Sequence, residues 1–188
     1  MAKESIYNLP NALSLIRIFS IPLLIVVCYW SWPGAGTLAA IIFALASATD
    51  ILDGYLARKL GRVTNLGRFL DPVADKLLVS ATLIMLVYMD RAPAWVAFVI
   101  IGREIAVTGL RAAAVANQAG LVIDASWWGK FKTLFQMVAI IGLLVHEPHL
   151  GFDFGRVGGL ALWAATGLTI ISGWLYFKDY WAVISRAD

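Results

Sequence analysis

Cysteine is almost missing from this chain. Cys28 is the only one in 188 residues, so no intrachain disulfide can form and no cysteine-based metal site exists. Cys28 lies midway along an apolar run and reads as simple packing. Charge is scarce as well. Charged residues make up 14% of the chain, against about a quarter in a soluble domain. Histidine occurs only as His146 and His149, beside Glu147. This group reads as a solvated turn, with a second metal site as the alternative. No internal repeat or low-complexity segment is evident, which weighs against a transporter built from repeats. The N-terminus lacks a signal-peptide layout. Its first apolar run, Ala12 to Trp30, is long enough to span a bilayer and is followed by no small-residue cleavage site.

What is present is apolar. Hydrophobic residues are 61% of the chain and the mean hydropathy is +0.80, which marks an integral membrane protein. The expected fold class is an all-α bundle of six transmembrane helices in one domain, residues 1–188, preceded by a short interfacial helix within Met1 to Asn11. The spans are expected near Ala12 to Trp30, Thr37 to Leu56, Pro72 to Met89, Ala94 to Ala114, Phe131 to Val145 and Gly158 to Phe177. Pro72 is expected in the first turn of the third span, and His146 to Arg156 as a turn. The eight tryptophans suit interfacial belts. Six spans put both termini on one side. Thirteen of the fifteen Lys and Arg residues fall on that side and only Arg91 and Arg156 on the other. By the positive-inside rule, both termini then face the cytoplasm.

One stretch breaks the apolar pattern. From Asp50 to Asp75 the chain reads D-x-x-D-G-x-x-A-R, eight residues, then G-x-x-x-D-x-x-x-D. Carboxylates beside a bilayer are costly and mark function. Asp50 and Asp53 are three apart and Asp71 and Asp75 four apart, so on helices each pair shares a face. Four converging carboxylates raise one another's pKa. A divalent cation relieves that repulsion, and an all-oxygen set suits Mg2+ or Mn2+. One or two ions are compatible with four ligands. Gly54, Ala57 and Gly67 allow close approach to the backbone, and Arg58 offers a planar fork for phosphate. The plain alternative makes Asp53-Gly54 a turn and Asp71 the N-cap of a helix opening at Pro72.

A second set of charges is basic. Arg103, Arg111, Lys130 and Lys132 lie on the cytoplasmic halves of the fourth and fifth spans. Together they look like an anion pocket, with Glu104 placed to orient an arginine. The alternative is internal ion pairing plus snorkelling lysines. Asn11, Ser14 and Arg17 share one face at the entry to the first span.

The motif at Asp50, Asp53, Gly54, Ala57, Arg58, Gly67, Asp71 and Asp75 resembles the signature of the CDP-alcohol phosphotransferase family at every specified position. Asn8 to Arg17, Gly102 to Arg111 and Gly129 to Thr133 are similar to bacterial phosphatidylglycerophosphate synthases within it. The resemblance implies phosphatidyl transfer from CDP-diacylglycerol to glycerol 3-phosphate at the inner membrane of a bacterium, by a homodimer, with no nucleic-acid partner. It implies that Asp50, Asp53, Asp71 and Asp75 hold the metal and that Asp75 is the general base. Asp50, Gly54, Ala57, Arg58, Gly67 and Asn11 would border CDP-diacylglycerol. Arg103, Arg111, Lys130 and Lys132 would hold the acceptor phosphate. Another acceptor within the family (phosphatidylglycerol, serine or an inositol phosphate) and, more distantly, an ion transporter are the competing readings.

Overall fold

A computed structural model describes the backbone of residues 9–30, 32–60, 65–116, 127–149 and 151–187, with side chains at 12–30, 32–49, 70–111, 129, 131–148 and 151–178. Six helices follow one another: α1 (Leu9–Tyr29), α2 (Ala35–Leu60), α3 (Asn65–Tyr88), α4 (Ala94–Ala116), α5 (Trp127–Val145) and α6 (Phe154–Ala187). The apolar runs sit inside these helices as expected. The interfacial helix expected within Met1 to Asn11 falls mainly outside the described residues, and α1 already includes Pro10 and Asn11.

Two expectations need correction. Pro72 is the eighth residue of α3, which begins at Asn65. Asp71 is therefore mid-helix and not an N-cap, and Asp53-Gly54 lies within unbroken α2. The segment after α5 is also not all turn. It holds a two-residue antiparallel ladder, β1 (Pro148–His149) on β2 (Phe152–Asp153). Gly151 takes φ +80° at its tip, where a side chain would be strained.

Two stretches are long and apolar enough to cross a bilayer uninterrupted, Ala12–Tyr29 and Phe154–Lys178; Ala35–Thr49 and Phe131–Val145 are shorter apolar segments. The apolar parts of α3 and α4 carry charges toward one end, which shortens their uncharged length. Large side chains such as Phe19, Phe98 and Trp174 stand exposed around the bundle, a surface suited to lipid. Beneath them Leu24, Phe43, Leu78, Leu86, Ile100 and Ile140 form the shared core.

α1 packs on both α2 and α3, while α5 packs on α6 and α2, and α4 on α6. The α5–α6 contact is backbone against backbone. A Cβ on Gly158 would stand 2.6 Å from the Leu143 nitrogen, and one on Gly142 would stand 2.8 Å from the Gly158 Cα. Small residues let membrane helices close in this way. Asp153 Oδ1 accepts the Arg156 amide at 2.9 Å, as a residue just before a helix start does. At the same end of α5, Arg91 donates to the carbonyls of Leu143 (3.1 Å) and Leu144 (2.6 Å), pinning the α3–α4 turn to the negative end of that helix.

Gly158→Ala is expected to cost about 1–3 kcal/mol through overpacking. Gly159→Ala, whose Cβ meets nothing within 4 Å, is expected to be neutral or slightly stabilising. Thermal unfolding of the two purified variants in detergent checks the contrast.

Candidate active site

The site begins with two contacts from α1. Ser14 and Arg17 are three residues apart, so they share a face. Ser14 Oγ donates to Asp71 Oδ1 on α3. Arg17, fully buried, donates from Nε to the Ala46 carbonyl on α2 at 3.2 Å. α1 and α2 run antiparallel through a short connection. Stepping back one turn on α1, from Arg17 to Ser14, therefore corresponds to stepping forward one turn on α2, from Ala46 to Asp50. The backbone of Asp50 thus lies within about a turn of the level of Asp71.

A cavity of about 220 Å³ confirms this register one turn deeper. It is lined by Phe43 and Ser47 from α2, Asp75, Lys76 and Val79 from α3, Glu104 from α4, and Lys132, Thr133, Gln136, Met137 and Ile140 from α5. Ser47 and Asp75 share its wall. The two halves of the aspartate motif are therefore brought to one end of the bundle, with the half-buried carboxylates of Asp71 and Asp75 one turn apart on α3.

The basic set divides. Lys132 is 3% exposed and faces the cavity, where its Nζ bonds Glu104 Oε1. The same oxygen receives Arg103 NH1 at 2.9 Å. Arg103 and Arg111 turn toward α6, where both guanidinium groups lie over the ring of Tyr176, at 5.5 and 4.9 Å from its centroid. Arg111 also donates to the Tyr176 hydroxyl. The structure so brings together Asp75, Glu104 and Lys132, and joins Arg103 and Arg111 to them through Glu104 and Tyr176. The side chains of Asn11, Asp50, Asp53, Gly54, Ala57, Arg58, Gly67 and Lys130 lie outside those described.

Among the described residues, no three metal-ligating side chains gather. The donors that are described nonetheless fit a hard cation. They are carboxylates, they are one turn apart, and Ser14 already gives Asp71 the outer hydrogen bond that orients a ligand.

Tyr176, Ser47, Lys76, Thr133 and Gln136 are polar residues at this end that the motif reading did not assign to the site. The Asn11–Ser14–Arg17 face pointed to Ser14. Tyr176 had no such signal, since its partners are 65 residues away or more.

A helical bundle with an aspartate motif at one end beside a basic cluster has the groups that phosphotransfer needs. The chain belongs to the CDP-alcohol phosphatidyltransferase family, whose model matches residues 7–171. Among similar proteins, a CDP-diacylglycerol–glycerol-3-phosphate 3-phosphatidyltransferase of Bacillus subtilis is 45% identical, covering 97% of this chain and 100% of the relative. Proteins of the same name from Rickettsia bellii (41% identical, 91% of this chain and 94% of the relative) and Pseudomonas fluorescens (40%, 93% and 90%) are also similar.

Glu104→Ala leaves Lys132 buried without its carboxylate and is expected to destabilise the protein by about 3–5 kcal/mol. Adding Lys132→Met should recover much of that loss. A lowered melting temperature in the single variant and a restored one in the double variant is the expected pattern.

Proposed function

We propose that this chain transfers the phosphatidyl group of CDP-diacylglycerol to glycerol 3-phosphate, giving phosphatidylglycerol phosphate and CMP. The observation that carries the acceptor is the charge of the basic cluster. Lys132 and Arg103 both meet Glu104, Arg111 lies beside them across Tyr176, and Asp75 shares the cavity with Lys132. Three cations against the two carboxylates Glu104 and Asp75 leave the cluster positive, and more so once Asp75 is engaged by a metal ion. A phosphate monoester carries about −1.5 to −2 at neutral pH. Glycerol 3-phosphate suits such a positive cluster, whereas a phosphodiester such as phosphatidylglycerol carries less charge and serine carries no phosphate. The printed names of the relatives support the same acceptor. An ion transporter is less consistent, because the carboxylates cluster at one end of the bundle.

Asp50, Asp53, Asp71 and Asp75 would hold Mg2+ or Mn2+, as one or two ions. When bound, the cation neutralises pyrophosphate charge and favours departure of CMP. Ser14 keeps Asp71 oriented. Arg58, with Gly54, Ala57 and Gly67, offers the nucleotide a charged fork and an open backbone, and Asn11 borders it. Asp75 is the general base. It accepts the proton of the acceptor hydroxyl as that oxygen bonds to the β-phosphorus and the bond from that phosphorus to the CMP oxygen breaks. Asp75 and Lys132 line one cavity, so an acceptor whose phosphate is drawn toward Lys132 has its hydroxyl within reach of the α3 carboxylate. Lys130 would add to the anion field.

The proposed setting is the inner membrane of a bacterium. All six helices cross it, with both termini and the aspartate motif on the cytoplasmic side, and the chain works as a homodimer. The distribution of Lys and Arg supports the orientation; the family resemblance supports the dimer.

Asp75→Asn is expected to lower kcat at least a hundredfold while CDP-diacylglycerol still binds, measured by CMP release and by binding of the lipid nucleotide. Chelation should abolish CMP release and Mg2+ or Mn2+ should restore it. Supplying one acceptor at a time to the purified protein tests the acceptor itself. Release driven by glycerol 3-phosphate supports the reading; release driven only by another alcohol replaces it.

A further inference from the structure

A second cavity, of about 470 Å³, lies at the opposite end of the bundle from the aspartate motif. α1, α3 and α5 all end there, and the residues that follow each of them line it. Its base is polar. α2 starts hard against the end of α5, where a Cβ on Gly36 would strike the Leu144 oxygen and stand 3.1 Å from Arg91 NH1. Arg91 is half-buried there, with NH1 spent on the Leu143 and Leu144 carbonyls. The donors on its Nε and NH2 meet no acceptor among the described residues.

The walls are aromatic and acidic. Tyr29 and Tyr88 meet at 4.6 Å between ring centroids, and Trp30 and Trp32 line the same cavity. All four rings are exposed. Asp90 and Glu147 bring carboxylates to it. Asp90 is held in place by its backbone. It takes φ +55° just beyond α3, and the next amide, Arg91 N, closes the helix by donating to the Leu86 oxygen at 2.9 Å. Among the described residues the Asp90 carboxylate forms no ion pair and no hydrogen bond.

An occupant therefore meets cationic N–H donors at the base, carboxylates at the wall, and ring faces, which attract cations. A simple anion would gain Arg91 but oppose both carboxylates. A group that carries a phosphate and an ammonium together answers both signs. Tryptophan and tyrosine at the ends of membrane helices stand at the level of lipid headgroups, where such groups are concentrated. We infer that this cavity binds the headgroup of an amine-bearing phospholipid in the leaflet opposite the active site, with its phosphate at Arg91 and its ammonium among Asp90 and the aromatic rings. The inference depends on the transmembrane placement proposed above and not on the identity of the acceptor. A lipid bound in this way touches the turns after α1, α3 and α5 at once, so it stabilises the bundle from the end remote from catalysis.

The test follows thermal unfolding of the full-length protein in a non-ionic detergent. Three probes are titrated: phosphatidylethanolamine, its N-acetyl derivative, which keeps the phosphate and loses the ammonium, and free phosphoethanolamine. Phosphatidylethanolamine is expected to raise the melting temperature of the wild type, and N-acetylation to weaken its apparent affinity about tenfold, the size of one hydrogen bond between charged groups. Asp90→Asn keeps a residue that tolerates left-handed backbone, so the lipid-free melting temperature should stay unchanged. In that variant the preference for the free amine should vanish, because both changes remove one contact. Trp32→Leu should weaken phosphatidylethanolamine about threefold through the lost ring face. CMP release should be unchanged in both variants, and a wild type that releases no CMP sinks the proposed function without touching this test. No stabilisation by phosphatidylethanolamine overturns the inference. So does equal stabilisation by the N-acetyl lipid, or an amine preference that survives in Asp90→Asn. Free phosphoethanolamine acting as strongly as the lipid overturns the membrane as the source of the ligand.

Discussion

A lysine buried inside an apolar bundle calls for an anion, and Glu104 meets that need for Lys132. Its carboxylate takes the nearly inaccessible Lys132 from α5 and Arg103 from its own helix. Arg103 in turn lies on Tyr176 of α6. Three helices are thereby tied together by groups that none of them could bury alone. The arrangement is deliberately unbalanced. One carboxylate satisfies the geometry of the two cations it binds but not the charge of the cluster, and the surplus is what an anionic substrate can meet. The same interaction that packs α4 against α5 would also set the charge offered to the proposed acceptor, so the two could not be altered independently.

The first helix has the corresponding role for the acidic half. Ser14 reaches α3 and Arg17 reaches α2 from one face of α1. The aspartate motif is split between α2 and α3 across residues 61–64, and α1 sets the relative height of its two halves. Contacts made by α1 thus establish which turns of α2 and α3 stand level. The depth of the cavity follows from it, because Ser47 and Asp75 share a wall only in that register.

Much of this was legible from the residues. The six apolar runs lie within or nearly within the six helices because long apolar runs with few breaking residues favour helix. The carboxylate spacing placed Asp71 and Asp75 on one face, and the Asn11–Ser14–Arg17 periodicity marked the face that α1 uses. Other features depend on distant partners. Pro72 looked like a helix start, but α3 opens seven residues earlier and carries it within. Arg103 and Lys132 meet at one oxygen of Glu104, but adjacent residues on α4 point about 100° apart. Arg103 therefore goes to α6 while Glu104 faces α5. Tyr176 resembled any aromatic residue near an interface, and only the fold of α6 against α4 gives it its two arginines. The end of α6 was also hidden. Nothing like proline or a glycine cap stops it after Phe177, and it continues to Ala187.

Arg17 has a consequence for the order in which the bundle can be assembled. One of its acceptors, the Ala46 carbonyl, lies 29 residues further along the chain, on the next helix. A guanidinium that is fully buried in the finished bundle is costly to bury before its acceptors are in place. α1 therefore reaches its final packing only together with α2, and the first two helices are best regarded as one helical hairpin latched by Arg17.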